Sequence, residues 1–275
     1  MSLDLDRRQR AILQEIGVRV WWPPAQPAIV VQDAIKKVAV RAAGTVAVAQ
    51  ISTELAEPQT GRLTPAAGLS GISDMDWPAL AHAVAKCQAC QLCTGRRAAV
   101  FVGADAPQQA DWLVVGEPPD EAEERQGQPF ADQAGQLLDN MLKAVGVSRP
   151  GKAGVATTAY VTNVVKCRPA AARNPQPQEL AACENFLRQE VALVKPKVIL
   201  ALGRFAAQTL LQGTQPELAG VPLGKLRGQI YRYQGVPVIV SYHPAYLLRT
   251  PLDKARAWAD LCLAAGVAQG EHLSE

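Results

Sequence analysis

Six cysteines occur in the 275-residue chain, and four of them have spacings that suit metal binding. These four are Cys87, Cys90, Cys167 and Cys183. Four thiolates can bind either an iron–sulfur cluster or a structural zinc ion. Cys93 repeats the CxxC spacing and competes with Cys90 as a ligand, whereas Cys262 lies in an apolar helical context that indicates a core thiol.

A second set of chemically useful residues follows four apolar runs. The runs are 112–116, 159–164, 197–202 and 236–241. Glu117 follows the first, Asn163 lies at the end of the second, Gly203 follows the third and His243 comes shortly after the fourth. Because the carboxyl ends of parallel strands share one crevice, we expect a carboxylate, an amide and an imidazole to meet in one pocket.

The segments between these runs show helical patterns at 134–146, 178–194 and 204–212. Alternating strands and helices predict an α/β fold in three layers, with a central, mainly parallel four-stranded sheet flanked by helices. The run QIYRY before Gly235 adds either an edge strand or a hairpin arm.

The chain divides near residue 76. Residues 1–75 are interpreted as an N-terminal extension, with a short amphipathic helix within 3–16 and then a stretch rich in Ala, Val, Thr, Gly and Pro that resembles a linker. At Asp76, an N-cap residue followed by Trp77 and Pro78 opens a helix, so the folded domain is predicted to span 76–275.

Composition sets only broad limits. A hydrophobic fraction of 48% and a charged fraction of 19% are typical of a globular protein, and a net charge of +3 permits a polyanionic partner. The sequence offers no secretory h-region and no run of 18 apolar residues, so we expect a cytoplasmic protein that does not bind membranes. In that reducing compartment, clustered cysteines are expected to be metal ligands or buried thiols and not a disulfide framework.

The segment 116–139 is Gly-rich and acidic, and it is predicted to form a loop between a strand and a helix. It lacks the GxxxxGK[ST] pattern of a phosphate-binding loop, and its carboxylates would repel phosphate. Of its acidic residues we expect most to be solvated and one or two to be functional. They are Glu117, Asp120, Glu121, Glu123 and Glu124.

Taken together, several motifs resemble the iron–sulfur (family 4) uracil-DNA glycosylases over residues 80–262. They are CQAC, GEPPDEAEERQGQPFADQAGQLLDNML, YVTNVVKCRP, PKVILALGRFAAQTLL, KLRG and YHPAYLLRTPLDKARAWADL. The resemblance implies the fold of that superfamily and a monofunctional enzyme that excises uracil from DNA. It also implies a structural [4Fe–4S] cluster bound by Cys87, Cys90, Cys167 and Cys183. We expect the protein to be a monomer.

The resemblance also assigns roles at the strand ends. Phe130 is similar to the ring that stacks on the flipped base, Asn163 to the amide that reads the uracil edge, and Glu123 to the group that crowds the C5 position. His243 is placed to donate to the oxyanion that develops at uracil O2. Glu117 is placed to orient water or to offset the charge on the sugar.

A flipped base leaves a gap in the duplex and a bent backbone. Leu247 is the expected wedge for that gap. The cations expected to contact phosphates, with binding that weakens as salt rises, are Lys166, Arg168, Arg227 and Arg249.

Two positions depart from the family pattern. Asp120 stands where the family has glycine, which would strain any positive φ there, and Ala172 replaces an asparagine, with Asn174 nearby as a substitute. These departures favour an alternative, a uracil- or DNA-binding protein of the same fold with little turnover. A third interpretation is a zinc- or cluster-bearing module with no nucleic-acid role.

Overall fold

The computed structural model describes residues 71–102, 109–149, 157–213, 215–218 and 220–271, and the structural statements below refer to these. The short helix expected within residues 3–16, and the predicted linker up to residue 70, lie outside the described residues.

The described strands form one sheet in the order β2-β3-β1-β4-β6-β5. The strands are β1 (Trp112–Gly116), β2 (Val147–Ser148), β3 (Thr157–Asn163), β4 (Val198–Leu202), β5 (Ile230–Tyr233) and β6 (Val236–Ser241). All neighbours pair in parallel except β5 and β6. The predicted α/β class is confirmed, and the four predicted strands form the centre of the sheet.

Two edge strands extend the expected four. β5 is the QIYRY run, and it pairs with β6 through a turn in which Gln234 and Gly235 both have positive φ values of 50° and 82°. Such a turn matches the twist of an antiparallel hairpin. β2 has only two residues, which is too short to give a sequence pattern.

Eight α-helices surround the sheet in the described residues. They are α1 (Trp77–Lys86), α2 (Glu121–Gln126), α3 (Gln133–Ala144), α4 (Pro177–Val194), α5 (Arg204–Gln212), α6 (Leu223–Leu226), α7 (Pro244–Arg249) and α8 (Lys254–Gln269). The predicted opening of α1 is confirmed, because the Asp76 side chain accepts from the Ala79 N–H at 2.9 Å. None of the described helices combines the length and apolar character that a membrane span needs.

The segment after β1 is partly helical, which corrects the loop predicted there. Asp120 and Glu123 form a capping box that starts α2, with each side chain accepting the other residue's backbone N–H. Asp120 has a φ of −93°, so the expected strain of an acid replacing glycine is absent. Glu123 and Glu124 are buried, at 7% and 2% exposed, and are not solvated loop charges.

Two apolar layers cover the two faces of the sheet. Every residue of β1 and of β4 is buried, as expected for parallel strands with helices on both sides. The first layer also includes Ile72, which is 3% exposed, and the Gln189 amide donates to the Met75 carbonyl. The folded part therefore includes a few residues before Asp76.

The strand order reverses at β1. The chain passes from β1 to β3 on one side and then returns to β4 on the other side. A reversal of this kind opens a crevice at the carboxyl ends of the strands, where α/β proteins bind ligands. The residues that follow β1, β3, β4 and β6 therefore surround a single position.

Candidate active site

A cavity of about 670 Å³ lies at these carboxyl ends. Four residues predicted from the sequence line it, namely Glu117, Glu123, Phe130 and His243. Asn163, at the end of β3, joins them through hydrogen bonds to the Glu117 backbone and the Glu123 side chain. The structure therefore brings the predicted carboxylate and imidazole to one cavity and holds the amide against the residues of its wall.

Glu117 is held at the N-terminus of α5. Its Oε1 accepts from the Phe205 N–H at 2.9 Å. Burial raises the pKa of the Glu117 carboxyl to about 7, while the Phe205 N–H and the Arg204 charge oppose that rise. Gly203 makes room for this carboxylate, because a Cβ there would lie 2.1 Å from Oε1.

Asn163 is fixed in one orientation by two acceptors. Its Nδ2 donates to the Glu117 carbonyl at 2.9 Å and to Glu123 Oε1 at 3.2 Å, and the residue is 1% exposed. Its Oδ1 is buried and has no hydrogen-bond partner among the described residues. A buried acceptor without a partner is costly, so this atom is a strong candidate for contact with a ligand N–H.

Glu123 links three parts of the cavity wall. Its Oε2 accepts from the Asp120 N–H at 2.8 Å, and its Oε1 accepts from the Phe130 N–H as well as from Asn163. Burial raises the pKa of Glu123, and these hydrogen bonds oppose the rise. The carboxylate is therefore rigid.

Phe130 lies against His243, with ring centroids 5.1 Å apart and an interplanar angle of 24°. Its ring also covers Gly116, where a Cβ would lie 2.6 Å from two ring carbons. Phe130 is consequently only 3% exposed. Its backbone φ of 53° is in the left-handed region, which non-glycine residues rarely adopt.

His243 begins α7, and its Nδ1 accepts from the Ala245 N–H at 3.2 Å. Burial lowers the pKa of the imidazole to about 4, with a raising effect from Asp132 and a further lowering effect from Arg249. The ring is therefore neutral at physiological pH. Since Nδ1 is an acceptor, the single ring proton is on Nε2, which can donate.

Lys166 is not available to DNA, which corrects the expected phosphate contact. The residue is 1% exposed. Its ammonium group donates to Glu190 and to the Thr162 hydroxyl, both at 2.6 Å, and to the Asn163 carbonyl at 3.0 Å. A buried ammonium that is fully hydrogen-bonded in this way supports the end of β3 instead.

Arg227 and Leu247 also differ from expectation. Arg227 forms a salt bridge with Asp260 at 2.7 Å and donates to the Arg256 carbonyl, so it joins α8 to the loop after α6. Leu247 is 1% exposed and belongs to the interior, whereas Leu248 is 42% exposed. On α7 the exposed leucine is thus one residue further along than the expected wedge.

The remaining cations differ in how they are paired. Arg168 forms a salt bridge with the buried Glu124 at 2.9 Å. Arg249 and Arg204 are exposed, line the cavity and form no salt bridge in the part of the chain that the structure describes. Arg204 was missed in the sequence, although its position directly after Gly203 at a strand end was a usable signal.

Five cysteines line a second, smaller cavity, away from the first. They are the four predicted ligands Cys87, Cys90, Cys167 and Cys183, together with Cys93. The Arg96 guanidinium donates to Cys167 Sγ at 3.1 Å, and the Lys166 N–H donates to Cys183 Sγ at 3.4 Å. Cys262 is exposed, so the expectation of a core thiol was wrong.

Burial raises the pKa of three of these thiols, and that of Cys183 reaches about 12. In the described residues, no group of three or more His, Cys, Asp or Glu side chains is arranged to hold a metal ion. The thiols of Cys90, Cys167 and Cys183 are therefore protonated unless a cation binds them.

This fold and this site place the chain in a known class. A family profile described as the uracil DNA glycosylase superfamily matches residues 102–262. The chain belongs to the uracil-DNA glycosylase superfamily.

Within the superfamily, this chain is similar to several Type-4 uracil-DNA glycosylases. The chain is 35% identical over 195 residues to a Type-4 uracil-DNA glycosylase of Pyrobaculum aerophilum. That alignment covers 69% of this chain and 93% of the relative. It is 38% identical over 174 residues to the Type-4 enzyme of Thermotoga maritima, covering 63% and 83%. A Type-5 uracil-DNA glycosylase of Pyrobaculum aerophilum matches only 32% of this chain, at 34% identity. The predicted family 4 resemblance is confirmed.

Proposed function

We propose that this protein is a monofunctional uracil-DNA glycosylase. It hydrolyses the bond between uracil N1 and the deoxyribose C1′ and leaves an abasic site, the first step of base-excision repair. The observation that carries the proposal is that Glu117 and His243 line one cavity, and that Asn163 is hydrogen-bonded to the cavity-wall residues Glu117 and Glu123 and has an unpartnered Oδ1. Burial favours a neutral His243 imidazole and raises the pKa of the Glu117 carboxyl.

Asn163 selects uracil over cytosine by its orientation. The ring N3 of uracil carries a hydrogen that Oδ1 can accept, whereas N3 of cytosine presents a lone pair to the same atom. The amide cannot flip without losing its hydrogen bonds to the Glu117 carbonyl and Glu123. Glu123 is held rigidly by the Asp120 and Phe130 N–H groups, so it can exclude the C5 methyl group of thymine.

Cleavage places negative charge on the leaving uracil and positive charge on the sugar. The His243 Nε2–H is the donor for uracil O2, and a neutral donor avoids the cost of desolvating an imidazolium in a buried site. As a carboxylate, Glu117 offsets the sugar cation and orients the water that attacks C1′. Water supplies the hydroxyl group at C1′, uracil leaves as an anion with the bonding electron pair, and the proton that the water releases finally neutralises that anion.

Stacking of the base on Phe130 requires a small rearrangement. Because the Phe130 and His243 rings are in contact at 5.1 Å, no base fits between them. A flipped uracil therefore separates the two rings or slides across the part of the Phe130 ring that faces the cavity. Leu248, being exposed on α7, is the side chain proposed to fill the vacated stack.

The DNA backbone is proposed to be held at the mouth of the cavity by Arg204 and Arg249. Both are exposed cations on its rim, one at the start of α5 and the other at the end of α7. Arg168 can add a contact only if it shares its guanidinium with Glu124. The net charge of +3 is small, so these local cations matter more than the overall field.

We propose that the cysteine cavity holds a structural [4Fe–4S] cluster. The donor chemistry fits, because five sulfurs line one cavity and two N–H donors point at the Cys167 and Cys183 sulfurs. A cluster spreads its ligands over four irons, so it needs no group arranged around a single ion. The enclosed space is about 10 Å³, so the segment 87–93 would move outward to accommodate the cluster.

The protein is further proposed to act as a monomer in the cytoplasm, where such thiols stay reduced.

The alternative, a binding protein with little turnover, loses one of its two supports. The φ of −93° at Asp120 removes the expected strain, while the replacement at Ala172 remains. Asn174 is exposed near that position and can still approach DNA.

The test is excision by anaerobically purified protein from a labelled single-stranded oligonucleotide with one uracil. Alkali then cleaves the abasic product. We expect cleavage of this strand and none of matched strands with thymine or cytosine. A gel shift without product, at enzyme excess, would instead support the binding protein. The absence of both shift and product would support the third interpretation, a zinc- or cluster-bearing module with no nucleic-acid role.

A further inference from the structure

The turn that carries Phe130 needs support from elsewhere in the chain. Its φ of 53° is unusual for an aromatic residue, and its ring lies against His243 in the wall of the base cavity. The Glu123 carboxylate holds the Phe130 N–H from one side. The carbonyls of the turn also require hydrogen-bond donors.

Arg149 supplies those donors. Its Nη1 lies 3.3 Å from both the Pro129 carbonyl and the Phe130 carbonyl. Its Nη2 donates to the Gly135 carbonyl in the first turn of α3 at 3.2 Å. One guanidinium therefore ties the turn to the helix that follows it.

The Asp139 carboxylate orients the Arg149 guanidinium. Arg149 Nε donates to Asp139 Oδ1 at 2.6 Å, and both side chains are 21% exposed. Because the guanidinium is a planar fork with five donors, it can serve one carboxylate and three carbonyls at once, which a lysine ammonium cannot do with the same geometry.

Gly135 shows how tightly this arrangement is built. A Cβ at this position would lie 1.9 Å from the Phe130 carbonyl oxygen and 3.2 Å from Arg149 Nη2. A glycine inside a helix is ordinarily unfavourable, and here it allows the Phe130 carbonyl to approach the helix. The turn, the helix and Arg149 therefore form one fixed unit.

We propose that Arg149 is a positioning residue for base excision that acts on the flipped uracil through Phe130, by holding the carbonyls of its turn. Arg149 has no direct contact with the cavity that contains Glu117 and His243. The inference rests on the proposed glycosylase function, since it concerns the ring on which that function places the base.

The main test is a double-mutant cycle with Arg149→Met and Phe130→Ala in single-turnover excision. Alone, Arg149→Met should lower the rate roughly tenfold to a hundredfold, as expected for a misplaced binding group. In the Phe130→Ala background it should cost less than about twofold, because residues that act through one another are not additive. Equal losses in both backgrounds would overturn the proposal.

A spectroscopic readout does not depend on activity. The Phe130 ring stacks on His243, so movement of that ring changes the ring-current shift of the His243 protons. The chain has three histidines, which keeps the spectrum simple. Arg149→Met should move the His243 signals, and unchanged signals in the folded variant would contradict the inference.

The matched control is Arg188→Met. Arg188 is an arginine on the exposed face of α4 whose ion pair with Glu184 is far in sequence from the turn. The Arg188→Met substitution should alter neither the excision rate nor the His243 signals. If Arg149→Met does not fold, Asp139→Asn replaces it, and it should shift the same signals to a smaller extent.

Failure of the two proposals can be told apart. Wild-type protein that excises no uracil overturns the proposed function, and the histidine signals still decide whether Arg149 fixes the ring. Active wild-type protein with an additive cycle overturns only the role of Arg149.

Discussion

The base cavity and the cysteine cavity are organised in opposite ways. In the base cavity, Asn163, Glu123 and His243 are each held by protein hydrogen bonds that set their direction. In the cysteine cavity, Cys167 and Cys183 each accept one hydrogen bond, and burial keeps the thiols protonated. Hydrogen bonds of the fold orient the polar groups of the first, whereas the second would need the proposed cluster to bind its thiolates.

This difference separates chemistry from stability. Residues of the base cavity can be changed with a large loss of activity and little loss of fold, because their partners are on rigid strand ends. A change in the cysteine cavity should do the reverse, since it would remove the crosslink that the proposed cluster makes between the segment 87–93, the loop after β3 and α4. The predictions that follow test this separation.

The largest expected effect is that of Asn163→Asp. A carboxylate cannot donate to the Glu117 carbonyl or to Glu123 Oε1, so the orientation of Oδ1 is lost, and it would lie beside the Glu123 carboxylate. We expect a loss of roughly 10⁴-fold in single-turnover excision. Asn140→Asp on the exposed face of α3 is the matched control, and excision by Asn163→Asp at the rate of that control would remove Asn163 from its role.

Next is Cys183→Ala, which should act on stability. Loss of a buried ligand is expected to prevent cluster assembly and to lower the free energy of unfolding by more than about 4 kcal/mol. The measurements are iron content and thermal unfolding under anaerobic conditions. Cys262→Ala, at an exposed cysteine, should retain full iron content, and equal iron in both variants would contradict the ligand assignment.

Glu117→Gln should lower activity and raise stability together. Because the carboxylate form is needed, excision by the native protein should fall as the pH drops through about 7. Burial favours the protonated form in the fold, so ionisation costs stability as the pH rises from its ordinary pKa towards 7. At pH 8 the variant should be more stable by at most about 3 kcal/mol, with activity lower by about 10²-fold.

Two results would count against this role for Glu117. One is a pH profile of excision that stays flat between pH 6 and about 8. The other is a variant that unfolds at a lower temperature than the native protein at high pH.

The smallest expected effect concerns the rim of the base cavity. Arg204→Gln and Arg249→Gln should each reduce the slope of log affinity against log salt concentration by about 1, as one lost phosphate contact does. Fluorescence anisotropy with labelled DNA measures it, with Arg188→Gln as the control. Unchanged slopes would show that the DNA phosphates do not contact Arg204 or Arg249.

The sequence predicts well where strands end, because a buried parallel strand is a continuous apolar run. For that reason Glu117, Asn163 and His243 were correctly grouped, although 126 positions separate the first from the last. Helix α5 was also predicted over its full range, since an apolar pattern follows Gly203 directly.

The sequence was less informative about which side chains are buried or ion-paired within the fold. Lys166, Arg227 and Leu247 have residue types typical of DNA contacts, yet Lys166 and Leu247 are buried and Arg227 is held by its ion pair with Asp260. Pairing of this kind depends on tertiary contacts such as Glu190 on α4, which no local pattern reveals. Helix α2 was missed because its acidic composition hid the capping box at Asp120.

The most direct measurement is a crystal structure with DNA that contains 2′-fluoro-2′-deoxyuridine, whose glycosidic bond resists cleavage. We predict the uracil in the cavity of about 670 Å³, with N3 hydrogen-bonded to Asn163 Oδ1 and O2 to His243 Nε2. A uracil that stays stacked in the DNA, or that binds elsewhere while Asn163 Oδ1 contacts nothing, would contradict the account.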